Sequence, residues 1–586
     1  MKFSQFFSAP ARRAFWLRTF ATLMSSALLA SCGGGGVGVV VTGVTQRLLS
    51  PEMASRNAVN YSPYRTSQVE ADRAKELITE AMIKQDLDLM VAGNFRLIRL
   101  FDSSDKVAKQ TLKVIRDNGL DIKVMLGVWI ASGNDAFNEA EIARGVALAK
   151  QYSDIVVAVS VGNETMVSWS FNPLKVDQMA AYIKSVRGQV AQPITTDDNW
   201  AFFAQSSGNE KNPRAVLDVI DFVAMHTYPL AETIHPPATW DWQQFGVTAG
   251  PLRATAMMDA AIAAARAQHA AVRAHLDSVG FKNMPIVIGE TGWKAVASDG
   301  EYNRAHPVNQ KMYFDRLQTW TAEMRAGKGG PKSIFYFAAF DEPWKGNDDK
   351  WGLFDVARHA RLVVQALYPS VTASTSPVAN SSSAAVFAPD SIAITANRYS
   401  LYSNAVVAGE SKLAAFNWYG WEDGVAGWAG PAPGAGALVG PDFVNVFPST
   451  VKPWGWGVFI SPTLSPRDGP PDLSAFASAG VLNFSIKTDY TGTLRIGFQS
   501  NVEGATKDLF INVGTSGNYG FPRDKMWHSL SIPISDILAA NPGVTAANAQ
   551  AKLAYIVTPF VIADTHATNM PNGTETIYLD EIYWSK

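Results

Sequence analysis

Between residues 57 and 354, apolar runs of strand length alternate with longer stretches in which apolar positions recur at helical spacing. The strand-like runs fall at 58–64, 95–101, 122–128, 155–161, 194–198, 219–226, 285–289 and 333–340; helix-like stretches fall at 70–84, 139–152, 176–190, 253–279 and 309–326. Continuous apolar runs suit strands buried on both faces, as in a parallel sheet covered by helices. Eight of them in alternation with helices predict an α/β fold, a (β/α)8 TIM barrel over residues 57–366, with its active site at the C-terminal strand ends. A doubly wound sheet needs fewer strands and a glycine fingerprint after the first one, and Tyr61-Ser62-Pro63-Tyr64 has none.

The pattern changes after the barrel. Residues 367–390 are rich in Ser, Thr, Ala and Pro and read as a linker. From 391 to 586 short alternating strands recur, at 482–487, 494–498, 509–513, 528–533 and 576–583, and predict an all-β sandwich of the jelly-roll type.

The N-terminus reads as an export signal. Arg12, Arg13 and Arg18 precede an apolar stretch, residues 19–30, too short to span a bilayer and suited to a signal peptide. It ends Leu29-Ala30-Ser31-Cys32, similar to the lipobox of bacterial lipoproteins, and Cys32 is the one cysteine of the chain. A signal peptide is therefore expected over 1–31, lipidation at Cys32, and a tether over 32–56. The mature protein would be anchored by lipid to the bacterial cell envelope, at the outer membrane, facing the periplasm or the exterior. With no second thiol for a disulfide, stability rests on the cores. A formal net charge of -2 gives no basic field for nucleic acid. The 17 Trp and 17 Tyr provide flat faces of the kind that hold sugar rings, although aromatics also fill cores.

Two strand-like runs end in a glutamate, Gly162-Asn163-Glu164 on the fourth and Gly289-Glu290-Thr291 on the seventh. An acid at the end of a buried apolar strand is costly unless its surroundings satisfy it, and two such acids suggest a catalytic pair. The fourth and seventh strands face each other across a barrel. Retaining glycosidases use two carboxyls about 5 to 5.5 Å apart, one donating a proton to the leaving oxygen and one attacking the anomeric carbon. Glu164 is accordingly the expected acid/base and Glu290 the nucleophile.

The other strand ends are polar or aromatic too, with Arg99 and Asp102 at the second and Asp197 and Asn199 at the fifth. Expected substrate-binding residues are Tyr61, Trp129, Asn163, Asp198, Trp200, His226, Tyr228, Trp293, Glu342 and Lys345. Among them, Asn163 is placed to bond a sugar 2-hydroxyl, and Glu342 with Lys345 can form an ion pair that keeps the nucleophile ionised. His226 can orient a carboxylate or bond a sugar hydroxyl. The eight histidines are scattered and lack zinc-binding spacing, so no cofactor is expected for catalysis.

These elements, with His226-Thr227-Tyr228-Pro229 and Phe340-Asp341-Glu342-Pro343-Trp344-Lys345, closely resemble family 17 of the glycoside hydrolases over residues 57–355. The resemblance implies a (β/α)8 barrel, the same roles for Glu164 and Glu290, retention of anomeric configuration, and action on β-1,3-glucan or mixed-linkage β-glucan. Thr165, Met166 and Lys294 depart from the plant-type pattern, which leaves open whether water or a sugar is the acceptor. In the C-terminal region, Phe416-Asn417-Trp418-Tyr419-Gly420-Trp421, Trp454-Gly455-Trp456 and the closing strand resemble a carbohydrate-binding module. In such modules an aspartate of the last strand helps hold a structural calcium, which implies a calcium ligand at Asp580.

The sequence thus leads to a retaining hydrolase of β-1,3-linkages in β-glucan poly- or oligosaccharides. A β-1,3-glucanosyltransferase using the same residues is the alternative, and a non-catalytic surface glycan-binding lipoprotein the reading from another class.

Overall fold

The computed structural model describes residues 44–205, 211–233, 239–298, 300–374, 384–420, 425–429, 436–448, 455–464, 468–502, 507–565 and 575–586. The leader with Cys32, the middle of the expected linker, Trp421 and Trp454 lie outside the described residues. Two compact units emerge: one takes in the chain to Tyr228, Ile262–Val296 and Gln310–Ser381, the other Pro229–Ala261, Ala297–Asn309 and Ser382–Lys586.

The first unit holds the barrel. Strands β1 (Asn57–Asn60), β2 (Phe95–Arg99), β3 (Lys123–Val128), β4 (Val156–Asn163), β5 (Ile194–Asn199), β6 (Val223–His226), β7 (Ile286–Thr291) and β8 (Ile334–Tyr336) pair in order, and β1 closes on β8 through Ala58–Phe335 and Val59–Tyr336. The interior is packed: Ala58, Leu97, Met125, Ala158, Ala224, Val287 and Phe335 form one buried cluster. Met53 joins it from a short helix, Pro51–Ser55, whose first turn is capped by the Ser50 hydroxyl. A plugged N-terminal end leaves only the C-terminal end of the strands for chemistry.

The helices follow the apolar periodicity with one displacement. The helix expected at 70–84 is instead Glu80–Ala92, and residues 70–72 make only a 3-10 turn. The Glu76 carboxylate accepts the backbone N–H groups of Arg65, Thr66 and Ser67, which holds that stretch as a loop, and the Thr79 hydroxyl caps the true helix start at Met82 N (3.2 Å). Local side-chain bonds of this kind compete with helix formation and leave no trace in the periodicity.

The second unit is a sandwich of antiparallel character. Its five-stranded sheet runs Phe416–Gly420, Trp456–Pro462, Ile556–Asp564, Leu494–Ser500, Lys507–Val513. In the other sheet, of seven strands, the final strand Ile577–Ser585 is central and pairs with Arg398–Tyr402, Val444–Pro448 and Val481–Thr488. Alternate residues such as Ile496, Phe498, Phe560, Ile562, Phe484 and Ile486 point inward and are buried. Two segments within the span expected for the barrel, 229–261 and 297–309, belong to this unit. Gln243 donates to the Asn501 carbonyl (2.7 Å), Arg253 pairs with Asp390 (2.9 Å) and donates to the Ala388 carbonyl (2.8 Å), and Asn309 exchanges bonds with Val386. Residues 386–390 are thus tied down rather than free linker, and Pro369–Ser374 is helical.

Candidate active site

The C-terminal end of β7 packs closely on β5 and on the segment after β8 because small residues let it. A Cβ at Gly289 would stand 2.0 Å from Asp197 Oδ1, and one at Gly292 would stand 2.1 Å from the Phe337 carbonyl oxygen. Glycine on both sides of the Glu290-Thr291 pair is therefore a packing requirement. Glu164 lies in the left-handed region at φ 49°, where a non-glycine residue stays only if its surroundings hold it. They do: its N–H donates to the Asp197 carbonyl (2.9 Å), and the next two N–H groups, of Thr165 and Met166, both donate to Asp198 Oδ2 (2.8 Å each).

Glu290 is 6% exposed and surrounded by donors. Arg99 Nη1 donates to Oε1 (2.5 Å) and the Tyr228 hydroxyl to Oε2 (2.6 Å). Arg99 is itself buried and fixed by Asn60 (3.1 Å), by Asn163 Oδ1 (2.6 Å) and by Asp197 (3.3 Å). Lys345 pairs with Glu342 at 3.0 Å. Burial works against the Glu290 charge, but His226, Arg99, Lys345 and the Tyr228 hydroxyl outweigh it and hold its carboxyl down at about 2. It is ionised across the useful pH range.

Glu164 has a more open setting, with a quarter of its side chain exposed (25%) and its Oε1 2.9 Å from His226 Nδ1. Burial disfavours the His226 charge, yet Glu290, Asp197 and Glu164 push its pKa up to about 10. As an imidazolium it donates from both nitrogens, Nδ1 to Glu164 and Nε2 toward Asp197 at 3.4 Å. Carboxylate oxygens of Glu164 and Glu290 lie within 4.8 Å of each other. That is close to the separation of about 5 to 5.5 Å found in retaining glycosidases and well short of the ~6.5 Å or more that inverting enzymes need to seat a water.

Several expected contacts turn out otherwise. Trp293 is fully buried with its ring 5.2 Å from Tyr313, so it has no face to offer a sugar. Tyr61 is 1% exposed and gives its hydroxyl to Asp86 (3.1 Å). Asp198 is wholly buried and clamps the backbone after Glu164; burial first, then the Glu164 charge, raise its carboxyl to about 7. It is a positioning residue. His226 links carboxylates instead of facing a sugar, and Tyr228, Glu342 and Lys345 act on or around Glu290. Asn163 has its carbonyl oxygen engaged by Arg99, while Trp129 and Trp200 are half-buried at the rim. Arg99 and Asp197 were given no role from sequence, though each carries a charge within an apolar strand run, which is the signal that marks them.

Glu164, His226 and Glu290 are the one group of this kind that brings metal-ligating atoms together among the described residues. Arg99 and Lys345 already supply the positive charge there, and an imidazolium has no lone pair for a metal. The donor set does not fit a cation. Asp580 is likewise otherwise engaged: Oδ2 accepts the Leu438 and Val439 N–H groups (2.9 and 3.1 Å) and Oδ1 that of Glu581 (2.8 Å). Backbone donors take up lone pairs that calcium would need.

Of the sandwich aromatics, Trp418 and Trp456 are core residues, and the Trp456 ring packs edge-on to Tyr490 at 5.5 Å. Tyr419 faces outward, 40% exposed, with its ring stacked on Phe459 at 5.8 Å and 28°. Phe459 also packs against a small buried cluster of Phe510, Val561 and Ala563.

Residues 58–356 match the family described as BtgE/BtgC glycoside hydrolase domain, and residues 448–586 match carbohydrate binding domain 30. A glucan 1,3-beta-glucosidase of Schizosaccharomyces pombe is 28% identical over 267 residues, covering 44% of this chain and 71% of its own. A putative glucan endo-1,3-beta-glucosidase of Aspergillus niger is 24% identical over 289 residues, 45% of this chain and 37% of its own, so the chain spans little over a third of that relative. Among solved structures, an endo-laminarinase from Formosa is 26% identical with a TM-score of 0.49, covering 56% of this chain and 91% of that one.

Proposed function

The chain belongs to the BtgE/BtgC glycoside hydrolase family, and on that footing we propose that it is a retaining enzyme acting on β-1,3-glucans. The observation that carries this reading is the pair of carboxylates within 4.8 Å in opposite settings, one held ionised by cations and one open to solvent. The names of the yeast and Aspergillus relatives support the β-1,3 linkage as substrate.

In the first step the Glu290 carboxylate attacks the anomeric carbon while Glu164 gives its proton to the glycosidic oxygen, so that a glycosyl ester forms, the bond between the anomeric carbon and that oxygen breaks, and the leaving sugar departs with the oxygen as its free hydroxyl. In the second step Glu164 takes the proton from an incoming hydroxyl, whose oxygen bonds to the anomeric carbon and frees Glu290 as carboxylate. Two inversions give net retention. Arg99 holds Asn163 by its carbonyl oxygen, which leaves the amide N–H groups to donate to the sugar 2-hydroxyl. The group needs no metal and no cofactor. Proton NMR of laminarin-oligosaccharide cleavage tests the reading: the new reducing end is expected first as the β-anomer, and the α-anomer first would overturn it.

The sandwich serves, on this reading, to hold the enzyme on insoluble glucan through Tyr419 and Phe459, raising the local substrate concentration; the carbohydrate binding domain match supports it. Tyr419→Ala in the full chain should weaken pull-down by curdlan. The Leu29-Ala30-Ser31-Cys32 run supports export and lipid anchoring, which a Cys32→Ser variant would abolish in palmitate labelling.

A further inference from the structure

The chain joins the barrel at the end opposite the two acids. The Val44 N–H donates to the Asp218 carbonyl (3.4 Å), just ahead of β6. The Thr45 carbonyl accepts from Arg187 Nη2 (2.7 Å), and the Arg47 N–H donates to Asp221 Oδ1 (2.7 Å). The Arg47 guanidinium donates to the Gln192 and Arg187 carbonyls, ahead of β5 (2.8 Å each). Residues 44–47 are thus strapped across the N-terminal ends of β5 and β6. The next residue, Leu48, is 92% exposed, an apolar side chain in solvent beside a pinned backbone.

The same end of the barrel is basic. Lys282, Lys328 and Lys332 lie in the connections leading into β7 and β8, and Lys150 and Lys184 lie in the last turns of the helices Asp135–Gln151 and Val176–Arg187. All five are exposed, and among the described residues none of them forms an ion pair. The acids Asp121, Asp218 and Asp277 at this end are instead paired with Arg56, Arg214 and Arg273, which leaves Asp154 facing five lysines. A helix C-terminus favours a cation and accounts for Lys150 and Lys184, but Lys282 and Lys332 have no helix end to serve. Exposed lysines with an exposed apolar side chain are what an anionic lipid surface attracts.

The length of the tether decides which end can reach such a surface. Eleven residues, 33–43, separate Cys32 from Val44. Drawn out fully they span roughly 40 Å, so a lipid on Cys32 keeps Val44 within that distance of the bilayer. The helix Asp135–Gln151 alone runs about 25 Å along the barrel wall, with connections beyond both its ends. Turning the C-terminal strand ends to the lipid would require nearly the whole tether to be extended along that wall. Turning the strapped end to it requires no extension.

We infer that the N-terminal end of the barrel is a membrane-docking face, which meets an anionic phospholipid surface through Leu48 and the lysines, so that Glu164 and Glu290 open away from the bilayer. The inference goes beyond the proposed lipid anchoring and rests on it: the lipid keeps the protein at the surface, and this face sets its orientation. Substrate then reaches the site from the side remote from the lipid.

Cys32 is the one cysteine, and lipidation takes up its thiol, so a single introduced cysteine can carry a fluorophore on the lipidated full chain. Asn283→Cys places it at the strapped end, and Ala136→Cys places it at the start of the helix after β3, at the active-site end; both positions are exposed. In vesicles of phosphatidylethanolamine and phosphatidylglycerol that contain an acceptor lipid, energy transfer should be roughly twofold or more higher from residue 283 than from residue 136, two positions at opposite ends of the barrel. Equal transfer, or more from residue 136, would overturn the inference. A second measurement removes the lipid from both sides of the comparison with Cys32→Ser. In that background Lys282→Gln/Lys332→Gln should weaken binding to phosphatidylglycerol vesicles by roughly 25-fold, at about fivefold per lysine, with laminarin turnover unchanged as a check on the fold. Unchanged binding would equally overturn the inference. Failure of the lipid anchor itself shows separately, as a native chain that takes up no palmitate.

Discussion

The ends of β4 and β7 carry the same residue and give it different lives. Glu290 is enclosed, 6% exposed, with Arg99, Tyr228, His226 and Lys345 around its two oxygens; Glu164 keeps a quarter of its side chain in solvent and has His226 as its neighbour of opposite charge. The difference does not lie in the strands, both of which are buried runs closed by a glutamate. It lies in what the neighbouring strands deliver: β2 and the segment after β8 bring cations to the β7 side, while β5 brings two aspartates to the β4 side. A carboxylate among cations stays ionised and suits a nucleophile, and one at an open edge is within reach of a departing or entering hydroxyl, as the proposed acid/base requires.

Substituting each acid in turn breaks that comparison most sharply. Glu290→Ala removes the atom that forms the ester and should lower turnover on laminarin by roughly 10⁴-fold or more, whatever the leaving group. Azide, small enough to enter the vacated space, should restore turnover and give a glycosyl azide of inverted configuration; a retained product, or undiminished activity without azide, would remove Glu290 from its role. Glu164→Gln comes next, with a loss of roughly 10² to 10⁴ on laminarin, the range of general acid catalysis. An aryl glycoside with an activated leaving group should lose far less in its first step, since it departs without a proton. The two variants therefore differ in leaving-group dependence as well as in size of effect.

How far this site was legible in sequence follows the same division. Both acids were visible because strand periodicity is regular and each run stops at a charged residue. The eightfold alternation placed them on opposite strands. Partners are harder: Tyr228 and Lys345 are expected near the site, but Arg99 and Asp197 read only as polar strand ends without a role, because a sequence does not show which face of the strand a charge takes. Trp293 and Tyr61 failed in the other direction. Each follows a strand, as a rim residue should, but the chain turns inward at that point, and burial is decided by packing against Tyr313 and Asp86, which lie far away in sequence. Asp198 shows the limit best. A buried carboxylate satisfied by backbone N–H groups and one facing a sugar look identical in a sequence.

Gly289 tests whether the tight fit of β7 on β5 is itself required. Its added Cβ in Gly289→Ala would meet Asp197 Oδ1 at 2.0 Å, and His226 Cδ2 at 3.3 Å, so β5 or β6 must move to admit it. Overpacking of this kind costs about 1 to 3 kcal/mol. A lowered Tm is expected with a drop in kcat, because the residues displaced are those that position Glu164. If Gly289→Ala kept the native Tm and kcat, the tight fit between β5 and β7 would not be a constraint on the site.

The smallest effect probes the charge difference without disturbing either acid. Lys345 is paired with Glu342 at 3.0 Å, and burial of its amine is outweighed by Glu342, Asp348 and Glu290, which hold its pKa above the usual value, so it is charged at neutral and acid pH. Lys345→Ala removes one of the positive groups that draw the Glu290 pKa down, while His226 and Arg99 remain. The Glu290 pKa should therefore rise from about 2 toward its ordinary 4.5 without reaching it. A carboxyl depressed in the folded state contributes stability that is fully present above 4.5 and is lost as pH falls toward 2; with the depression reduced, the contribution is smaller and is lost over a narrower range. Two measurements then move together in Lys345→Ala: the acid limb of kcat/KM shifts to higher pH with little change near neutrality, and the acid part of the Tm profile flattens because the Tm is lowered above pH 4.5 and approaches the native value as pH falls toward 2. An acid limb that stays where it is would mean that Arg99 and His226 alone set the Glu290 charge, and that Lys345 contributes to the fold around Glu342 but not to what distinguishes the two ends.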